Sequence, residues 1–244
     1  MKSTLITLAS SVALTLATAL PASAQMQWTD KAFVTVNFGA QAPSQSLASA
    51  TTPDIYNEPA SFASTQDVGG GAFFDIAGGY KVWRNLAVGI GVTHVGSKAD
   101  LTVNASIPDP LFFDSPRNVI VTVPDAHHSQ TAINLTGTWV MPITDKIDIG
   151  YQFGPTIFLV SQDLPGAPSA ITEPGPVVGS LPLESEDKTT VGIHFGVDLT
   201  YMVTPRYGVG GIARYTWGSA DLAGADDKLT VGGFQIGAGV RVRF

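Results

Sequence analysis

The sequence predicts an all-β protein, a closed antiparallel eight-stranded transmembrane β-barrel with short turns at one end and long loops at the other. Three observations carry that expectation. Segments in which apolar residues alternate strictly with small or polar ones recur eight times, the period of two that belongs to strands. The connections between them alternate short and long, as membrane barrels require. The polar faces are crowded with Gly, Thr and Asn, which cannot build a soluble sandwich core but can fill a narrow lumen while the apolar faces meet lipid. The composition agrees. With 44% hydrophobic and only 14% charged residues and a formal charge of -7, the chain is neither a disordered segment nor a nucleic-acid binder. It contains no cysteine, which removes disulfides, thiolate zinc sites and thiol nucleophiles.

The first element is an export signal over residues 1–24. Lys2 supplies the positive charge, Leu5 to Leu20 the apolar stretch, and Ala22-Ser23-Ala24 the small-residue cleavage pattern. Residues 25–244 are then the barrel domain, and no later apolar run is long enough for a transmembrane helix.

The eight segments follow in order. Ala32 to Ala40 places Val34, Val36 and Phe38 on one face and Thr35, Asn37 and Gly39 on the other. Ala72 to Val82 and Leu86 to Val92 read alike. The fourth sets Ile133, Leu135 and Trp139 against Asn134, Thr136 and Thr138, and the fifth Ile147, Ile149, Tyr151 and Phe153 against Asp148, Gly150, Gln152 and Gly154. The sixth, Thr189 to Val203, has one wholly apolar face, and Tyr207 to Trp217 and Phe234 to Phe244 complete the set. Tilted strands of about ten residues cross a bilayer.

Short turns are expected at Trp83-Arg84-Asn85, Pro142 to Lys146 and Thr204-Pro205-Arg206. Long loops are expected at about Gln41 to Gly69, Lys98 to His128, Ser161 to Lys188 and, shorter, Ser219 to Lys228. Twelve of the 16 prolines fall in the first three of these, clear of strands whose ladders need every N–H. Pro155 is the exception, with a bulge or a rim position expected there. In the second loop Leu101 and Val103 alternate again, as do Val119, Val121 and Val123, so strands three and four are expected to project as a hairpin with its tip at Pro108 to Pro116. Leu111, Phe112 and Phe113 on that tip form a contact patch for a partner or a lipid-like ligand, or fold back over the barrel mouth.

Tyr80, Trp139 and Tyr201 each stand outward just before a short turn, the positions of an inner aromatic girdle at the headgroups. The last strand ends Gly239-Val240-Arg241-Val242-Arg243-Phe244, with Val240, Val242 and Phe244 alternating to a terminal aromatic. This resembles the C-terminal recognition signal of bacterial outer-membrane barrels, and with the eight strands the chain resembles the small outer-membrane barrel superfamily that includes outer membrane proteins A, X and W. The resemblance implies a Gram-negative outer-membrane location, short turns and termini in the periplasm, contact with outer-membrane lipids and lipopolysaccharide, and insertion by the barrel-assembly machinery.

Strand parity aims Asp75, Lys81, Asp148, His194, Asp198, Arg214, Arg241 and Arg243 at the lumen. An eight-stranded barrel is just wide enough for side chains to fill, so these read as a structural plug of paired charges, with Arg214 paired to Asp75 or Asp198. The expected role is therefore structural or surface-interacting, with no enzyme activity, cofactor or metal. The alternatives are a narrow transporter of small hydrophobic molecules or ions, resembling outer membrane protein W, and a lipid A-modifying enzyme using His94 with Ser97 or His127-His128 with Ser129. The transporter needs an apolar lumen, toward which only Phe33, Phe73 and Ile212 point. Acidic loop residues, including Asp54, Glu58, Asp67, Glu173, Glu184, Glu186, Asp187, Asp221, Asp226 and Asp227, suit divalent cations shared with lipopolysaccharide better than a polyanion.

Overall fold

Alternating faces become a closed ring. The computed structural model describes residues 27–43, 45–68, 70–166, 171–173, 177–178, 181–220 and 229–244, so the export signal over residues 1–24 lies outside the described residues. Eight long strands run antiparallel: β1 Ala32–Gln41, β2 Gly71–Trp83, β3 Leu86–Ile107, β4 Arg117–Pro142, β5 Ile147–Pro165, β6 Leu183–Met202, β7 Tyr207–Ala220 and β8 Leu229–Arg243. Each pairs with both of its neighbours, and β1 pairs with β8 from Phe33↔Arg243 to Gln41↔Gln235, which leaves the ring without an edge at barrel height. The seam is locked at the chain end, where the Phe244 N–H donates to the Ala32 carbonyl and the Phe244 carbonyl accepts from Lys31 and Ala32.

The outside of this ring is apolar. Phe38, Ile76, Ile90, Leu135, Phe153, Phe195, Tyr215 and Ile236 are all exposed, an arrangement that only lipid solvates without cost. The inside is filled by small residues that make room for a few large ones. A Cβ at Gly39 or Gly237 would stand 2.7 Å from the Phe73 ring, so glycine at both positions admits that buried phenylalanine.

Three expectations are corrected. β3 and β4 project as the expected hairpin with its tip between Ile107 and Arg117, but the other long loops hold more strand than the sequence suggested, because β5 and β6 also continue well past the apolar belt and the first loop carries strands Gln45–Thr51 and Ser61–Val68. Pro155 makes neither a bulge nor a rim. It sits mid-strand, pairs with Ile193, and leaves the β4–β5 register unshifted between Asn134↔Thr156 and Gly137↔Phe153, with only the intervening pairs missing from the ladder. A ring nitrogen without a proton explains the gap, and the paired strands on either side hold the register. The loop tip does not fold back: Leu111, Phe112 and Phe113 are 81%, 67% and 80% exposed.

Above the belt the projecting strands form a head. Gln45–Thr51 pairs with Ser61–Val68, which pairs with β3 from Thr102 to Ser106. Its own hydrophobic core joins Phe62, Leu101, Val103, Ile107 and Leu181, with Val119, Val121 and Val123 packed against it. A register shift between Ala99 and Leu101, opposite Pro124 and Asp125, marks where barrel becomes head, and Asp125 takes a positive φ of 58° there.

Candidate functional site

The lumen is the candidate site, and strand parity builds it. The register between β6 and β7 puts Arg214 opposite Gly196, whose missing side chain leaves space for the aliphatic stem of the arginine. Asp75 on β2 reaches the same height from across the ring. Its carboxylate accepts from Asn37 Nδ2 at 2.8 Å, Thr93 Oγ1 at 2.7 Å and Arg214 Nη2 at 3.1 Å. Arg214 also donates to Thr93 Oγ1 at 2.7 Å and through Nε to Gln235 Oε1 at 2.8 Å.

A second pair lies nearer the turn end. Arg241 grips Asp198 with Nη2 at 2.5 Å and Nε at 3.2 Å, a two-point contact that suits guanidinium and carboxylate. Its remaining Nη1 donates to Asn37 Oδ1 at 2.7 Å, so Asn37 joins the two pairs into one network. Thr200 Oγ1 completes the Asp198 shell at 2.8 Å. The third pair, Arg243 with Asp148, stands lower still and includes Asp30 at 3.4 Å.

His194 joins through hydroxyls and makes no ion pair among the described residues. Thr156 Oγ1 gives its proton to Asn134 Oδ1 at 2.8 Å, so it accepts from His194 Nδ1 at 2.8 Å, and Nε2 accepts from Thr136 Oγ1 at 3.1 Å. Asn134 Nδ2 then donates to Thr93 Oγ1 at 3.1 Å, returning the chain to Asp75. Lys81 is displaced from the expected network. It points inward at the mouth, where Nζ donates to the Trp28 and Thr29 carbonyls at 2.8 and 3.3 Å, because the segment before β1 folds across that opening. Trp28 itself is buried in the mouth, its N–H on Asn85 Oδ1 and its indole on Asp30 Oδ2.

Toward the loop end the lumen changes character. Gln235 Nε2 donates to Gln41 Oε1 at 2.6 Å, Gln41 donates to the Gly232 carbonyl, and the Gly232 N–H donates to Gln130 Oε1. Gly232 and Gly233 hold φ of 101° and 127°, which turns the backbone of β8 inward and seats Leu229 and Val231 against Phe158, Val160 and Ala132. The glutamines share inward parity with the charged residues and were legible on that ground. Trp28 lies outside any alternating segment and gave no such signal. Phe73 and Ile212 pack with Val95 into a small cluster and line no apolar path. Between these layers lie small spaces of about 30 Å³ beside Arg241 and Arg243 and about 10 Å³ beside Arg214.

Most of the other predicted residues lie on the outer surface, with Gly239 and His128 as exceptions. Tyr80 and Tyr201 are exposed and Trp139 half-buried, all at outward positions near the turns. Val240 and Phe244 face outward, Val242 is half-buried, and Gly239 faces inward opposite Asn37 and Gly210. Neither histidine pair assembles a triad: His94 Nδ1 meets Thr131 Oγ1, His128 Nδ1 meets Gln162 Oε1, and His127 is exposed. In the head, Glu173 accepts two bonds from Arg117 at 2.6 and 2.7 Å and one from the Tyr56 hydroxyl at 3.3 Å, tying three loops together. The Arg117 bonds hold the Glu173 carboxyl below the usual carboxylate range. Of the acidic loop residues, Asp221, Asp226 and Asp227 lie outside the described residues, as does the side chain of Asp67.

A family model described as the outer membrane protein beta-barrel domain matches residues 10–241. Neisserial surface protein A is 14% identical with a TM-score of 0.49, covering 87% of this chain and 97% of its own. The outer membrane protein OprG of Pseudomonas aeruginosa is 11% identical with a TM-score of 0.48, covering 90% and 98%. The outer membrane protease OmpT of Escherichia coli is 11% identical with a TM-score of 0.45, covering 91% and 99%. No curated protein matches the chain.

Proposed function

The chain belongs to the outer-membrane β-barrel domain family and is an integral outer-membrane protein, and from that premise we propose that it is a closed, non-catalytic barrel that anchors a structured head for surface contact. The observation supporting this reading is the filled lumen. Asp75 bonds Arg214 and Asp198 bonds Arg241 inside it, and Asn37 bonds to both pairs while Thr93 bonds to the first. The spaces beside these arginines are of the size that a few waters fill. Permeation would require a buried ion pair to part with nothing to replace it, which is costly in a low-dielectric interior.

On this reading residues 1–24 are removed on export, and Gly239, Val240, Val242 and Phe244 serve as the insertion signal. Tyr80, Trp139 and Tyr201 anchor the headgroup level. Among the described residues, Phe73 and Ile212 pack into a closed cluster that gives the transport reading no support, and no histidine bonds to both a nucleophile and an acid as the lipid A-modifying reading would need. The test is conductance. Purified wild-type protein in planar bilayers should give no steady current, and large, regular channels would overturn the closed-barrel reading.

A further inference from the structure

The head ends in an apex that no other described residue covers. Beyond the lipid-facing belt β3 and β4 continue for about ten residues, roughly 30 Å of strand, and between them lies Asp109-Pro110-Leu111-Phe112-Phe113-Asp114. Three consecutive large apolar side chains stand out from this turn, at 81%, 67% and 80% exposure. The head's own core, through Val103 and Ile107, lies below them and is already filled. Such a contiguous apolar patch in water marks a contact surface.

Its backbone suits an apolar medium. Pro108 and Pro110 have no N–H, Asp109 Oδ1 accepts from the Leu111 and Phe112 amides at 2.9 and 3.3 Å, and Glu58 Oε2 accepts from the Asp114 amide at 3.4 Å. A segment entering lipid must have its backbone donors satisfied internally, and most of the donors here are. The base of the turn is held as well, by Arg117 donating to the Pro108 carbonyl at 3.0 Å while bound to Glu173. The tip is therefore a rigid convex wedge, a shape that a deformable lipid surface accommodates without a matching pocket.

Charge selects among lipids. The wedge is flanked by Asp109 and Asp114, and the nearby cation, Arg117, is engaged by Glu173 and Asp109. Anionic headgroups would be repelled. Choline headgroups, with the cation outermost, would be attracted by the Asp114 carboxylate, by the net negative charge of Glu58, Asp109, Asp114 and Glu173 against Arg117, and by the phenylalanine faces.

We propose that the Leu111-Phe112-Phe113 apex inserts into the choline-headgroup surface of an apposed bilayer. This rests on the surface-contact reading above. The experiment uses the full protein in nanodiscs, mixed with vesicles of phosphatidylcholine or phosphatidylglycerol and separated by flotation. Wild type should float with phosphatidylcholine, bind phosphatidylglycerol at least several-fold less, and lose more than tenfold in binding when Leu111, Phe112 and Phe113 are all changed to Ser. Because that variant leaves the strands and the head core untouched, unchanged heat-dependent gel migration should confirm its fold. Phe112→Trp should show a blue-shifted emission that brominated phosphatidylcholine quenches.

Equal flotation of the triple-serine variant, tighter binding to phosphatidylglycerol, or an unquenched Phe112→Trp would overturn the proposal. So would no vesicle binding at all, which assigns the tip to a protein pocket. The two readings fail separately: a conducting barrel with a lipid-binding tip refutes only the closed lumen, and a silent barrel with an inert tip refutes only this contact.

Discussion

Strand β3 passes through two regions that use the same alternation in opposite senses. In the barrel its even positions, Val88, Ile90 and Val92, are exposed and apolar, while the odd positions, Ala87, Gly89, Gly91 and Thr93, are small or polar and face the lumen. In the head its even positions, Thr102 and Asn104, are exposed and polar, while Leu101, Val103, Ala105 and Ile107 are buried. Inward and outward never exchange along this strand. What changes is the solvent outside, and with it the kind of side chain that each face can carry.

The two interiors are accordingly held together by different forces. The head core is held by burial of apolar area, which tolerates imprecise geometry. The lumen is held by hydrogen bonds and ion pairs, each of which loses most of its worth if one partner is missing. The largest expected effect lies there. Asp75→Ala leaves Arg214 buried without its carboxylate and should lower barrel stability by about 3 to 5 kcal/mol, read from urea unfolding in lipid vesicles. An Asp75→Ala variant as stable as wild type would show that water, and not Asp75, neutralises Arg214.

The second test substitutes the same residue on the same face of β3 at two heights. Ile90→Lys places a cation toward the hydrocarbon and should cost about 2 to 4 kcal/mol near mid-depth, with a matching loss of membrane insertion. Thr102→Lys, at the same parity in the head, should change stability by less than about 0.5 kcal/mol. Equal effects at both positions would mean that the belt extends further up the hairpin than its exposed apolar residues indicate.

Much of this was legible because lipid writes a strong pattern. Strand parity placed Asp75, Asp198 and Arg214 in the lumen and left Asp75 or Asp198 as the partner of Arg214, a step that needs nothing but local sequence; the ring closure that selects Asp75 is not local. Val119, Val121 and Val123 announced the hairpin in the same way. The strand Gln45–Thr51 was missed because its alternation is of Ala and Ser, too weak a contrast to separate a strand face from a loop. Lys81 has inward parity, yet its partners are the backbone carbonyls of residues 28 and 29, whose path across the mouth follows from no repeat. Gly232 and Gly233 occur in a strand full of glycines, and only their φ values distinguish the two that turn inward.

The smallest expected effect concerns acid, where the two regions should respond differently. Glu173 bonds Arg117 and the Tyr56 hydroxyl, and the Arg117 bonds keep its carboxyl below the ordinary value. A carboxyl lowered in the folded state contributes stability that is complete above its unfolded value near 4.5 and is lost as pH falls through the folded value. The linkage is therefore silent from neutral pH down to about 5 and acts below it. Loosening of the three tied loops should appear as faster proteolysis in the first and second loops as the pH falls below about 4.5, using an acid-active protease, while the barrel retains its heat-dependent gel migration. Glu173→Gln keeps an acceptor but removes the charge, so it should show the faster cleavage already at pH 5 and little further change on acidification. Cleavage that accelerates equally in wild type and Glu173→Gln as the pH falls would place the acid-sensitive contact elsewhere in the head, and the Arg117 tie would then count for little in holding the tip upright.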